Sequence, residues 1–370
     1  MGLIFGLILA FFVPLIFLHI IYRFDLYQTG QFKLIVLSLG WGGIAYALAA
    51  SINNALLNNE LIDRATVISF YAPILEEIFK ALLLLYLVRR PQFTYSVDGV
   101  LYGFAAGIGF AIVENYEYIL DPSTAIAGAW HRILSANLVH ASSSALIGIA
   151  LGIFHLNRTR SRWLILGIGL FFAIGQHAFY NRISLIGDSF VNAFGIGILS
   201  AAFIYFAIQL GKKQAQHWIR QKLGMDDRVT PGEVAMVDRL DSNQDIFYPV
   251  LQRFGAEKAS QVEKLLYLQA RLGLKRKALD SFQKNDSLRN AVEAETSKMR
   301  TEMDVVRRAI GVYAMLFVRG LYTEEMISVW DQIQAKIRER SVLHEGQKPG
   351  GLWSSLEERL KAPTGVERHE

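Results

Sequence analysis

The chain has 370 residues, 52% of them hydrophobic and 12% aromatic, with mean hydropathy +0.27 and a formal charge of +5. Such a balance is too apolar for one soluble domain. There is no cysteine, which excludes disulfides, thiol nucleophiles and thiolate metal sites, and the basic residues are interleaved with acids, which argues against a nucleic-acid partner.

Charge divides the chain: residues 1–211 carry 11 Lys+Arg against 10 Asp+Glu, and residues 212–370 carry 27 against 23. The predicted architecture is all-α. A polytopic membrane bundle occupies 1–211, a cytoplasmic helical domain 212–345, and a loosely ordered tail 346–370.

Seven apolar stretches suited to crossing a bilayer fall at about 2–22, 33–51, 65–88, 97–120, 133–156, 162–182 and 189–210. The first lacks a basic leader and a small-residue cleavage site, so it reads as a retained helix. One set of loops holds Arg23, Lys33, Arg89, Arg90, Arg158, Arg160, Arg162, Lys212 and Lys213; the other holds only Arg64, Arg132 and Arg182. By the positive-inside rule this predicts a plasma-membrane protein with its amino terminus outside and its carboxy-terminal region cytoplasmic. Gly103-x-x-x-Gly107 and Gly148-x-x-x-Gly152 predict close helix packing.

The third stretch carries Glu76, Glu77 and Lys80 near its middle. Each ionisable group there costs roughly 2.5–3.5 kcal/mol on insertion scales, so such residues are rare and usually functional. Lys80 reaches both carboxylates at i+4 and i+3, yet one cation cannot neutralise two acids. The later stretches add Glu114-Asn115 with Glu117, then His140 with Ser144, then Gln176-His177 with Asn181. Counted from the outer ends at ~1.5 Å per residue, Glu114, His140 and His177 lie roughly 6–12 Å deep and Glu76 about 16 Å. Carboxylates and imidazoles at matching depths can activate water directly or through a bound metal, and spacing leaves both open. A proton or ion relay in a transporter or channel would use the same carboxylates.

Beyond Lys212 the pattern is helical. Thr230-Pro231-Gly232-Glu233 and Ser260-Gln261-Val262-Glu263 have capping-box spacing, which predicts helix starts at both. Apolar residues recur over 262–274 (Val262, Leu265, Leu266, Leu268, Leu272) and over 305–318 (Val305, Val306, Ile310, Tyr313, Leu316, Phe317). A further helix is expected after Thr323, with Met326, Ile327, Trp330 and Ile333. The region reads as a regulatory or scaffolding module for a cytoplasmic partner.

Taken together, Glu76-Glu77-x-x-Lys80, Phe110-x-x-x-Glu114-Asn115, His140-x-x-x-Ser144 and His177-x-x-x-Asn181 resemble the four ordered motifs of the PrsW family, over about residues 60–210. These are bacterial intramembrane proteases distantly similar to type II CAAX prenyl endopeptidases. The resemblance implies an intramembrane endopeptidase cutting a single-pass membrane protein, such as an anti-sigma factor, on its extracytoplasmic side within the lipid bilayer. Carried over residue by residue, it implies catalytic roles for Glu76, Glu77, Lys80, Glu114, His140, His177 and Asn181. In the CAAX branch the second motif usually has a histidine and the first an arginine, where this sequence has Glu114 and Lys80. Two chemistries follow. In one, no cofactor is used: a glutamate of the pair is the base, His140 polarises water, and His177 with Asn181 stabilises the oxyanion. In the other, one zinc ion is held by His140, His177 and Glu114, with the glutamate pair as base. The residues alone slightly favour the first, since no compact zincin helix is present.

Overall fold

The computed structural model describes residues 2–58, 62–121, 126–156, 160–186, 190–240, 246–280 and 286–321, and every regular element among them is helical. The bundle consists of α1 (Gly2–Arg23), α2 (Phe32–Asn58), a broken third stretch, α5 (Ser96–Leu120), α6 (Ile126–Leu156), α7 (Arg162–Ile186) and α8 (Phe190–Lys222). The broken stretch is α3 (Arg64–Thr66), a π-turn (Val67–Tyr71) and α4 (Ala72–Leu87). Six helices (α1, α2, α5, α6, α7 and α8) contain segments long and apolar enough to cross a membrane. The predicted third span is not one of them: α4 has only 16 residues and carries three ionisable side chains. The protein is a multi-pass membrane helix bundle.

Burial ranks the helices. The spanning segment of α5 is 94% buried and that of α6 72%, against 17% for α1 and α7. The outer helices turn large apolar side chains outward; Phe171 on α7 is 72% exposed, as a lipid-facing residue is. At the centre, α5 and α6 run antiparallel in near backbone contact. A methyl group at Gly99, Gly103 or Gly107 would lie 2.2–2.3 Å from the carbonyl oxygens of Gly148, Ser144 and His140 respectively. Only hydrogen fits there, so this glycine stripe sets the register of α5 on α6. That register carries Glu114 to His140.

Helix α8 continues through the charge boundary at Lys212, and its Trp218 and Ile219, with Leu223 just past its end, share one core with Val262, Leu265, Leu266 and Leu272 of α10 (Tyr248–Leu279). Lys275 of α10 donates to the carbonyl of Pro91 (2.7 Å), and Ser96 donates to Gln214 (3.1 Å), tying this region to one end of the bundle.

The capping box at Thr230 and Glu233 opens α9 (Pro231–Asp238) as predicted. The expected start at Ser260 is overturned, because α10 begins at Tyr248 and bends instead at Gly255, whose φ of 82° is left-handed. The single helix expected over 305–318 is also overturned. Here α11 (Asp286–Ile310) stops at Gly311 (φ 88°), and α12 (Val312–Gly320) starts afresh. The break leaves Val305, Tyr313 and Leu316 exposed, while Val306, Ile310, Ala314, Met315 and Val318 are buried. The helix expected after Thr323 and the tail from Gly346 lie outside the described residues.

Candidate active site

The site begins with a defect in a helix. Ala72 donates its N–H five residues back, to Val67, which defines the π-turn. The next donor in that register would be residue 73, a proline with no N–H, so the carbonyl of Ile68 is left without a main-chain partner. Asn181 on α7 supplies the missing donor, Nδ2 to the Ile68 oxygen at 3.0 Å. On the other side of the same element, Trp41 of α2 donates its indole N–H to the carbonyl of Phe79 (2.9 Å). Held from both sides, α4 presents Glu76, Glu77 and Lys80 to the bundle interior, all buried.

Glu77 is the hub. Its Oε1 accepts from Lys80 Nζ (2.6 Å), Ser143 Oγ (2.7 Å) and His177 Nδ1 (2.9 Å), and its Oε2 accepts from Ser144 Oγ (3.3 Å). Lys80 can only donate and has no exposure. It also lies 3.3 Å from His140 Nδ1 and 4.6 Å from the centre of the Phe110 ring. Because Glu77 is an acceptor, His177 carries its proton on Nδ1 and its lone pair on Nε2. That Nε2 lies 3.4 Å from Glu76 Oε2, and neither atom has a hydrogen-bond partner although both are buried.

Glu114, on α5, contacts α6 through one oxygen: Oε2 lies 2.8 Å from His140 Nε2 and 2.9 Å from Arg132. The His140 and His177 rings stand edge to face with centroids 4.5 Å apart. One donor atom each from Glu76, His140 and His177 lie within 4.8 Å of one another, close enough to share a metal ion.

Seven of the residues singled out by sequence thus converge in one place: Glu76, Glu77, Lys80, Glu114, His140, Ser144 and His177. Asn181 is nearby, with one N–H of its amide given to the Ile68 carbonyl. The close trio contains Glu76 where the zinc alternative had Glu114, whose oxygen is taken by Arg132 and His140. Sequence reasoning counted Arg132 only as a loop charge and overlooked Ser143. Arg132 stands eight residues before His140, on the same side of α6, and that spacing was the available signal.

Residues 30–209 match the model of the PrsW family, described as intramembrane metalloproteases. Across those residues, just under half of the chain, the protein is similar to the PrsW family. A 118-residue segment is 30% identical to the Protease PrsW of Halalkalibacterium halodurans, covering 30% of this chain and 51% of that protein. The chain therefore spans about half the length of that curated relative. No solved structure matches. The PrsW region takes in α2 through most of α8 and every residue of the site; the helices after α8 lie outside it.

Proposed function

We propose that this protein is an intramembrane endopeptidase that hydrolyses a peptide bond of a single-pass membrane protein, with one zinc ion as cofactor. The observation that carries the metal is the pair of orphaned atoms, Glu76 Oε2 and His177 Nε2. Two buried lone pairs facing each other at 3.4 Å call for a proton or a cation between them. Imidazole and carboxylate donors suit zinc, and Glu76, His140 and His177 would hold it. A bound zinc supplies an activated water and a polarised substrate carbonyl.

The chain's own groups do the rest. Glu77 fixes the His177 ring through Nδ1, and Lys80, Ser143 and Ser144 fix Glu77. Glu76 is the better placed of the pair to exchange protons, since its side chain is 10% exposed and that of Glu77 has no exposure. In hydrolysis the water oxygen bonds to the carbonyl carbon, the water proton passes to the Glu76 oxygen that does not face His177, and Glu76 returns it to the departing amine as the C–N bond breaks. The site lies in the half of the bundle away from α9–α12. With those helices cytoplasmic, as the loop charges predict, the cut falls toward the outer leaflet.

The test uses purified full-length protein in proteoliposomes with a reporter transmembrane peptide. Cleavage that stops with a strong chelator, returns on adding zinc and is lost in Glu76→Gln supports the reading. Cleavage indifferent to chelation rejects the zinc; cleavage indifferent to Glu76→Gln rejects the site.

A further inference from the structure

A lone arginine near the end of a membrane helix ordinarily extends along apolar surface to reach water. Arg132 does the opposite. Its side chain is only 12% exposed, its guanidinium stacks 3.7 Å from the centre of the Tyr118 ring, and it meets Glu114 Oε2 at 2.9 Å. Glu114 and Tyr118 stand one turn apart on α5, so the two side chains form a clamp for one guanidinium.

We propose that Arg132 is a positioning residue: acting through Glu114, it fixes which nitrogen of His140 carries the proton. An arginine has no acceptor, so the shared Glu114 oxygen accepts from it. His140 Nε2 meets that same oxygen at 2.8 Å, and Nε2 is therefore the donor. The ring's lone pair is then on Nδ1, where Lys80, also without an acceptor, lies 3.3 Å away. Both ends of the ring specify one tautomer. His177 holds the other, with its proton on Nδ1 toward Glu77 and its lone pair on Nε2. Two neighbouring imidazoles are thus set in opposite tautomers by two acidic residues, each with its own cation: Glu77 with Lys80, and Glu114 with Arg132. Take away Arg132 and Glu114 Oε2 is no longer held in place as acceptor, which leaves the longer 3.3 Å contact of Lys80 at Nδ1 to specify the tautomer alone. The His140 proton can then exchange between nitrogens, and Nδ1 is the unprotonated one only part of the time. Lysine is a poor replacement, because a point charge neither stacks on Tyr118 nor keeps the guanidinium's fixed direction.

This inference rests on the reading of His140 as part of the working site, and its test does not use cleavage. Full-length protein labelled with 15N only at histidine is stripped of metal in detergent, and the His140 signals are assigned with His140→Gln. Wild-type protein should show a protonated Nε2 and an unprotonated Nδ1. Arg132→Gln should average or invert that pair and weaken zinc binding by about 10–100-fold, the usual loss when an outer partner of a metal-binding histidine is removed. Arg132→Lys should fall between. A stable, monodisperse Arg132→Gln protein with unchanged His140 shifts and unchanged zinc affinity overturns the proposal. Where Arg132→Gln does not fold, an Arg132→Lys protein identical to wild type in both readouts overturns it equally. A wild-type protein that shows the stated tautomer yet binds no zinc and cleaves nothing sinks the protease reading and leaves this one standing.

Discussion

Glu76 Oε2 and His177 Nε2 face each other at 3.4 Å inside the bundle with no hydrogen bond to anything else. One residue along, Glu77 has four donors on its two oxygens. Adjacent positions on a helix point about 100° apart, so the pair is split between a group with spare capacity and a group with none. The two acids therefore do different work.

Replacing each by glutamine separates them. Glu76→Gln should abolish cleavage while leaving thermal stability near wild type, since the oxygen it changes has no partner to lose. Glu77→Gln leaves the Lys80 ammonium buried without its counter-charge, a loss of about 3–5 kcal/mol for a broken buried pair. Thermal unfolding in detergent and reporter cleavage read the two effects. Equal destabilisation by both changes contradicts the division.

Lys80 leads to a prediction of opposite sign. Its ammonium lies 3.3 Å from the His140 nitrogen that bears the lone pair, so it competes with any metal ion for that nitrogen. Lys80→Met should bind zinc more tightly, by about tenfold or more, because a resident cation is removed and Glu77 is left uncompensated. The same variant should be less stable than wild type without metal and gain more stability on adding it, as ligand linkage requires. Zinc affinity equal to or weaker than wild type would mean that Lys80 aids the metal or lies outside its site.

Much of this could be read from the residues, for a physical reason. Charge in hydrocarbon is costly enough that Glu76, Glu77, Lys80, Glu114, His140 and His177 stood out one by one, and the helical repeat placed them at matching depths. Hydroxyls carry no such penalty, so Ser143 was invisible until α6 was set against α4. Arg132 resembled any boundary arginine, because the direction of a side chain depends on the neighbouring helix and not on its own. The break at Gly311 was missed because apolar spacing continues across it, and only the positive φ shows that the helix ends there. Pro73 was in plain sight, yet the consequence of its missing N–H could be drawn only when Asn181 was seen on the Ile68 carbonyl.

That hydrogen bond carries a prediction of its own. Asn181→Ala leaves the Ile68 oxygen without a donor in surroundings with little water, at a cost of about 1–3 kcal/mol. The π-turn then loses its tie to α7, and α4 with its three ionisable residues is held less firmly. Cleavage should fall through a lower turnover number, with zinc affinity reduced in parallel, and Asn181→Gln should not restore it because the longer side chain misplaces the amide. Suppose instead that Asn181 served only as an oxyanion donor. Turnover would then fall by about 10²–10³ with stability and zinc affinity untouched, and that outcome would refute the structural role.

The last prediction concerns the region after the bundle. Helix α8 crosses Lys212 without interruption, which suggests at first that nothing can be separated there. The packing says otherwise. Ala215, Trp218, Ile219 and Leu223 lie beyond Lys212 and are buried in one core with Val262, Leu265, Leu266 and Leu272 of α10. A fragment starting at Lys212 thus keeps its own core, the Thr230–Glu233 capping box and the buried bonds of Gln269 and Arg307 to Glu233. It gives up the continuation of that core into the bundle and ties such as those of Lys275 to Pro91 and Gln214 to Ser96. Residues 212–370 expressed alone should be soluble and helical by circular dichroism, with a cooperative thermal transition. Coexpressed with residues 1–211, the fragment should bind the bundle, and Lys275→Met should weaken that binding, since it removes the donor to Pro91. An unfolded or aggregated fragment in every buffer would mean that the bundle supplies part of its core.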